Sequence, residues 1–483
     1  MSSEAIHESE FLRKFTRELS NKNAAIFAGA GLSMAAGFVD WKTLLHETIK
    51  DLSLDSNKEY DLVSVAQYSV NKAGGNKTQL AQTIFDCFEA IREPTENHTV
   101  LARLPINTYW TTNYDKLIER ALEKAKKVPD VKHTVEQLST TRFGRDAIVY
   151  KMHGDVEHSS NAVITKDDYE KYPLKMAPFV TALRGDLVKK TFLFLGFSFT
   201  DPNIDYILSR VRGQFENNSR HHYCIQKRIT KEPGEMDDDF KYRQLKQDYF
   251  IRDLKRFSIF TVLVDDYSGI TRLLKQLEAN CNRSSVFISG SAEEYGAMPP
   301  NDAQAFIHNL SQRIASDKNR IITGFGLGVG SAVINGALSY LDSIDKTISD
   351  EYIVMRPFPQ IATGGVSLPE QWTTYRKAML SLAGIAIFIF GNKKGNDGNI
   401  VPANGMQQEF DLAIEVGVKV IPIGATGHMA KTLWEKINAS FNTYFPNTQQ
   451  NFKDHFSVIG NPSSTAEQLI NSTTQLVKLL KED

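Results

Sequence analysis

The sequence predicts an α/β protein of two domains, each a parallel β-sheet with helices on both faces. Three observations predict it. Apolar β-like runs alternate with helical stretches along the whole chain. The runs end repeatedly in Gly, Asn, Ser or His, at the strand ends where open α/β sheets hold ligands. The alternation also stops at a polar joint, Asn280-Cys-Asn-Arg-Ser-Ser285, and then starts again. At 483 residues the chain is too long for one ordinary core. We expect Rossmann-like domains at 1–280 and 284–483.

Residues 8–22 read as an amphipathic helix with Phe11, Leu12, Phe15 and Leu19 on one stripe. The stretch Ala25-Ile-Phe-Ala-Gly29-Ala-Gly-Leu-Ser33 organises the rest of this half. It reads as a buried strand, a glycine turn and a helix N-terminus. Glycine lets backbone approach a phosphate closely, and free N–H groups with the helix dipole favour the anion. Asp40 is placed to cap a helix from Trp41, or to meet a ribose or water. Residues 42–104 read as mostly helical, interrupted by Lys72-Ala-Gly-Gly-Asn-Lys77. A strand at Ile106–Trp110 ends in Thr111-Thr-Asn113-Tyr-Asp115, and a helix is expected from Asp115. Asn113 and Asp115 either cap that helix or serve a ligand. A strand at 147–152 runs into His153-Gly154, an acid–base candidate at a strand end. A strand at 191–195 runs into Gly196-Phe-Ser198, with Pro202 suited to a helix's first turn. A β-like run at 257–264 and a helix at 267–280 complete this half.

In the second half, strands are expected at 286–289, 320–323, 352–355, 384–390 and 418–423, and a last helix at 464–480. Gly290-Ser291 follows the first strand, and Gly324-Phe-Gly-Leu-Gly-Val-Gly330 follows the second. Lys393 and Lys394 fall in a loop after the most apolar strand, to meet phosphates or simply solvent. Glu409 lies early in the helix after Gly405, as a ligand group or a first-turn acid. Arg376 lies on a predicted helix, where a surface role is also open.

Bulk composition excludes several classes. Lys and Arg number 56 against 57 Asp and Glu, a formal charge of −1. That balance gives no nucleic-acid signature. The N-terminus is polar and acidic, unlike a signal peptide, and no apolar run approaches a membrane span. Cys87, Cys224 and Cys281 are far apart, so a four-thiolate zinc site within the chain is excluded and a disulfide framework is not expected. The expectation is a cytoplasmic protein without membrane, nucleic acid or metal.

On five short fragments the first 280 residues resemble the sirtuin superfamily, in its bacterial branch of sirtuin-like NAD hydrolases. The fragments are Gly29-Ala-Gly-Leu-Ser33, Gly37-Phe-Val-Asp40, Thr111-Thr-Asn-Tyr-Asp115, His153-Gly154, and Gly196-Phe-Ser198 with Asp201-Pro-Asn203. The resemblance implies NAD as substrate. Gly29, Ala30 and Ser33 would hold its diphosphate. Asp40 and Asn113 would lie near the nicotinamide ribose, with Asp115, Gly196 and Ser198 completing the NAD site. Asn113 and His153 would be catalytic, His153 as general base. Deacylating sirtuins carry a four-cysteine zinc module and a Pro-Asp-Phe-Arg segment. Here the module is missing and Val39-Asp40-Trp41-Lys42 replaces the segment, which points to water as the acceptor. NAD-dependent protein deacylation and non-catalytic NAD binding are the alternatives.

The C-terminal 200 residues resemble the SLOG family, nucleotide-sensing relatives of lysine-decarboxylase-like phosphoribohydrolases. Gly391-Asn-Lys-Lys-Gly-Asn-Asp-Gly398 stands where the enzymatic members have Pro-Gly-Gly-x-Gly-Thr, so we read a sensor. The tandem is similar to the NADase effectors of Thoeris anti-phage systems. That implies a homotetramer or larger assembly, activated by a cyclic ADP-ribose isomer from a TIR-domain protein and depleting NAD. Arg376 and Lys393 would meet the effector's phosphates and Glu409 its ribose or base, with Gly290 and Ser291 at the first loop.

Overall fold

The computed structural model describes residues 4–215, 220–362, 364–395, 397–446 and 448–482. The chain divides into two compact units, Met1–Glu278 and Ala279–Asp483. The first is built on a parallel sheet of β1 (Ala24–Ala28), β2 (Thr108–Thr111), β3 (Pro129–Lys132), β4 (Ala147–Lys151), β5 (Thr191–Leu195), β6 (His222–Lys227) and β7 (Ile259–Val264). Their order is β3-β4-β2-β1-β5-β6-β7. β1 and β5 are buried at every residue. Continuous apolar sequence of this kind forms strands covered on both faces. β1 pairs with β2 on one side and β5 on the other, both in parallel. Successive connections therefore leave β1 in opposite directions, which opens a crevice at the strands' C-terminal ends.

The layers over this sheet arise from the same patterning. Phe11 and Phe15 of the N-terminal helix Glu8–Ser20 lie edge-on to Tyr223, at 5.3 and 5.9 Å between ring centres. Trp110 stacks on Tyr150 at 4.1 Å, and its indole N–H donates to Asp186 at 2.9 Å. Burying such rings stabilises by about 1.5–3 kcal/mol each.

The second unit has a parallel sheet of β8 (Ser285–Ser291), β9 (Arg320–Thr323), β10 (Ile353–Met355), β11 (Ile385–Phe390) and, after β12 (Asn392–Lys394) and β13 (Ile400–Pro402), β14 (Lys419–Pro422). The order is β10-β9-β8-β11-β14, and β12 pairs antiparallel with β13 outside it. β8 lies between β9 and β11, again at the reversal point.

The two parallel α/β sheets are as expected from the alternation; several elements are not. β3, β6 and the β12–β13 hairpin carry no long apolar run. The helix expected from Asp115 opens at Leu117, because the Asp115 carboxylate accepts the Leu117 N–H at 2.9 Å and holds a turn. Lys393 and Lys394 stand on β12, exposed, and not in a loop. Asn396 of that stretch and Met1–Ser3 lie outside the described residues. Among the described residues no helix is long and apolar enough to cross a membrane.

Candidate active site

The glycine turn after β1 is the floor of the site. Gly29 leaves the strand in extended conformation, and the short helix Ala30–Met34 begins at once. A second turn, after β5, lies directly against it. Gly29 N–H donates to Leu195 C=O at 2.9 Å, and Gly31 N–H donates to Gly196 C=O at 2.9 Å. A Cβ on Gly196 would stand 2.2 Å from Leu32 N, and one on Gly29 would stand 2.5 Å from the Gly196 carbonyl oxygen. Gly196 also has φ +62°, the left-handed region that glycine adopts freely.

The loop after β2 is pinned onto this floor. Thr111 Oγ1 donates to Ala28 C=O at 3.0 Å and accepts the Asn113 N–H at 3.0 Å. The Asn113 amide nitrogen donates to Gly29 C=O at 3.0 Å and to Ser33 Oγ at 2.9 Å. Ser33 Oγ donates in turn to Asp115 Oδ2 at 2.7 Å. Both Asn113 amide hydrogens are thereby used, so Oδ1 is the atom left for a ligand, as an acceptor. The Ser33 proton is likewise committed to Asp115. Below the loop, buried Lys151 donates to the carbonyls of Tyr114 and Asp115 at 3.0 and 2.6 Å and to Asp155 at 2.5 Å.

His153 comes just after β4 and is buried. Its ring meets Tyr169 and Tyr172 edge-on, at 5.4 and 6.5 Å. Nε2 stands 3.1 Å from Asp201 Oδ2, within ion-pair distance but bent away from a straight hydrogen bond. Tyr169 O–H donates to the same oxygen at 3.2 Å. Burial pushes the Asp201 carboxyl up, but His153, the Ile204 N–H and Tyr169 together hold it below its ordinary value.

These groups share one cavity of about 1370 Å³. Ala30, Ser33, Asp40, Asn113, Asp115, His153, Gly196 and Ser198 line it, and Gly29 lies outside its lining. The Asp40 side chain accepts the Thr43 N–H at 2.8 Å as a helix cap, and the residue lies on the cavity wall. Ser198 is exposed and paired with Thr200 at 2.7 Å. Tyr169 and Asn203 line the cavity too, and sequence reasoning gave them no role. Among the described residues the buried Asn203 amide nitrogen has no partner. Asp201-Pro-Asn203 was visible as a motif; Tyr169, in the middle of an ordinary helix, carried no signal.

In the second unit Glu409 is buried. Oε2 accepts from Ser289 Oγ at 2.6 Å, and Oε1 lies 3.4 Å from Arg376 Nε. Arg376 is buried as well, its guanidinium 5.1 Å from the centre of the Phe358 ring. A surface role for Arg376 and a simple first-turn role for Glu409 are thus replaced by a buried pair. Burial pushes the Glu409 carboxyl up, against Ser289 and Arg376. Gly290 belongs to β8, and Ser291 Oγ donates to Asn392 C=O at 3.0 Å, next to Lys393.

Similarity to known proteins divides along the two units. Residues 107–254 match a family described as SIR2-like domain, and residues 269–480 match the Sir2- and TIR-associating SLOG family, STALD. The NAD(+) hydrolase ThsA of Bacillus cereus (strain MSX-D12) is 51% identical over 97% of this chain and 98% of its own length. This chain belongs to the ThsA family of NAD(+) hydrolases. A ThsA of Acinetobacter baumannii (strain 532279) is 45% identical over 98% of this chain and 99% of its own. Similarity to the Defense-associated sirtuin 2 of Bacillus subtilis is 26% over 42% of this chain and 20% of that protein. Membership in the ThsA family makes NAD the substrate, and the second unit is a SLOG domain. Among the described residues no group of three or more His, Cys, Asp or Glu is disposed to hold a metal ion.

Proposed function

We propose that the first unit cleaves NAD at the bond between nicotinamide and ribose, with His153 as general base and Asn113 orienting water or ribose hydroxyls. The carrying observation is that Asn113 Oδ1 is the unengaged atom of a fixed amide, in the same cavity as His153. The C1′–N bond breaks and its electron pair leaves on the nicotinamide nitrogen. A water oxygen bonds to C1′ and its proton passes to His153, giving ADP-ribose. The transition state is oxocarbenium-like, and preorganised polar groups stabilise it. Gly29, Ala30, Ser33, Asp40, Asp115, Gly196 and Ser198 are the NAD-binding set in this reading.

The second unit is the sensor. A cyclic ADP-ribose isomer, supplied by a TIR-domain protein, binds at Gly290, Ser291, Arg376, Lys393 and Glu409 and switches on a homotetramer or larger assembly. NAD is then depleted in the cytoplasm during anti-phage defence. The Arg376–Glu409 pair supports this, since a buried guanidinium and carboxylate beside β8 suit phosphate and hydroxyl recognition.

The test is nicotinamide release from NAD with and without cyclic ADP-ribose isomers. We expect release to rise with one isomer. Asn113→Ala and His153→Ala should each lower it by about 10²–10⁴-fold in protein that still folds, as circular dichroism would show. Full activity in His153→Ala overturns the base assignment. Absence of release under every isomer moves the reading to a binding module or a deacylase.

A further inference from the structure

We propose that Asp201 is a positioning residue for His153: it holds the imidazole in its Nε2–H tautomer and leaves Nδ1 as the proton acceptor. The inference rests on the reading of His153 as general base.

The geometry comes from both ends of the contact. Asp201 Oδ1 is fixed, accepting the N–H groups of Asn203 at 2.9 Å and Ile204 at 3.1 Å at the start of the helix Pro202–Phe215. Oδ2 is thereby aimed back at His153 Nε2, 3.1 Å away, and Tyr169 O–H holds the same oxygen from the side. Both residues sit out of bulk solvent, with side-chain exposures of 2% and 9%. A carboxylate only accepts hydrogen bonds, so when this short, bent contact closes into a hydrogen bond the hydrogen belongs to Nε2. The lone pair of the neutral ring is then on Nδ1. Among the described residues neither ring nitrogen has a straight hydrogen bond, but Nε2 faces the Asp201 carboxylate whereas Nδ1 is buried with no polar contact at all, on a residue that lines the cavity. A buried polar atom without a partner is costly unless a ligand or water meets it. The neighbouring rings, Tyr169 and Tyr172, are neutral phenols: burial pushes both hydroxyls well up. Among the described residues Asp201 is thus the one charged group in the cavity wall shown touching the ring, and its carboxylate stabilises the imidazolium that forms when Nδ1 takes a proton. The bent Nε2 contact fits a free enzyme, where such hydrogen bonds tighten only with substrate.

The deciding variant is Asp201→Asn. Asn caps helices as well as Asp, so the helix start is kept while the charge and the acceptor-only character are lost. We expect kcat for nicotinamide release to fall by about 10²-fold or more, with KM for NAD changed by less than about threefold and an unaltered unfolding curve. Nitrogen-15 spectra of histidine-labelled protein give a second readout. The resonances missing from His153→Gln identify the ring, and we expect a protonated Nε2 with a bare Nδ1 in the wild type. That spectrum decides the question even if Asp201→Asn does not fold. Full turnover in Asp201→Asn with an inactive His153→Gln overturns the role of Asp201 alone, as does an Nδ1–H tautomer in the wild type. Turnover retained in His153→Gln overturns the base reading and this inference together.

Discussion

Gly196 is where two strand ends touch, and its substitution separates two physical costs. Gly74 has nearly the same φ, +65° against +62°, but none of the described residues lies within 4 Å of an added Cβ there. Gly74→Ala therefore carries only the left-handed backbone cost, about 1–2 kcal/mol. Gly196→Ala adds a Cβ 2.2 Å from Leu32 N and 2.6 Å from Gly31 C, backbone that cannot rotate aside. We expect Gly196→Ala to lower the urea unfolding midpoint of the first unit clearly more than Gly74→Ala does, and to abolish nicotinamide release. Equal losses in the two variants would mean that the turns are not in contact. At this scale the sequence was informative about residue types at strand ends, because turn chemistry is local: Gly29, Asn113, His153 and Gly196 each stand out beside an apolar run. Their pairings were not readable. Asn113 meets Gly29 and Ser33 across 84 and 80 positions, and Glu409 meets Arg376 across 33. Only the folded sheet sets such distances. Arg376 looked like any basic residue on a helix until Phe358 and Glu409 were placed around it.

Strands and their end loops depend on one buried cation. Lys151 closes β4, and its ammonium ties the carbonyls of Tyr114 and Asp115 to Asp155, with Glu119 3.3 Å away. Burial pulls the Lys151 pKa down, but Glu119 and Asp155 raise it above the ordinary lysine value in net effect. The native value being the higher one, the stabilisation is complete below the unfolded-state value and is lost only as pH rises through the native one. It is therefore fully present near neutrality. Lys151→Met would strand two buried carboxylates, and breaking such a pair costs about 3–5 kcal/mol. We expect that loss in chemical unfolding at pH 7, shrinking as the pH falls and Glu119 and Asp155 take up protons. A loss that does not vary with pH would mean that packing, and not charge, explains it. Sequence reading of elements succeeded where runs were long and apolar, as in β1, β5 and β11. It failed at β3, which opens on Pro129 at the sheet edge, and at β6, whose run begins with His222. Both are strands because neighbours supply their hydrogen bonds, and local propensity says little about that.

For the whole molecule, the proposed activation is a matter of differential affinity. Each unit has its reversal-point strand, β1 or β8, flanked by parallel partners, and each carries its polar groups at strand C-terminal ends. Two ligand sites in one chain, as proposed for this one, strengthen one another through an equilibrium between resting and active states only if both ligands prefer the same state, here the active one. Moving the enzyme from 1:99 to 99:1 needs roughly 5.5 kcal/mol of such preference. Glu409 is a fitting place to draw part of it, because its carboxylate is already desolvated and held by Ser289 and Arg376. A hydroxyl-bearing ligand reaching this pair meets a charge that water does not screen. Glu409→Gln keeps the shape and the acceptor facing Ser289, removes the charge, and leaves Arg376 without its partner. We expect the effector concentration for half-maximal nicotinamide release to rise by about 10–100-fold, the equivalent of roughly 1.4–2.7 kcal/mol, while the rate at saturating effector is retained. Linkage adds a second check. In the His153→Ala background, where NAD persists, saturating NAD should tighten effector binding by the same factor by which effector tightens NAD binding. An unchanged half-activation point in Glu409→Gln would remove Glu409 from the effector site. Unequal factors would mean that the two ligands do not draw on one shared equilibrium between resting and active states.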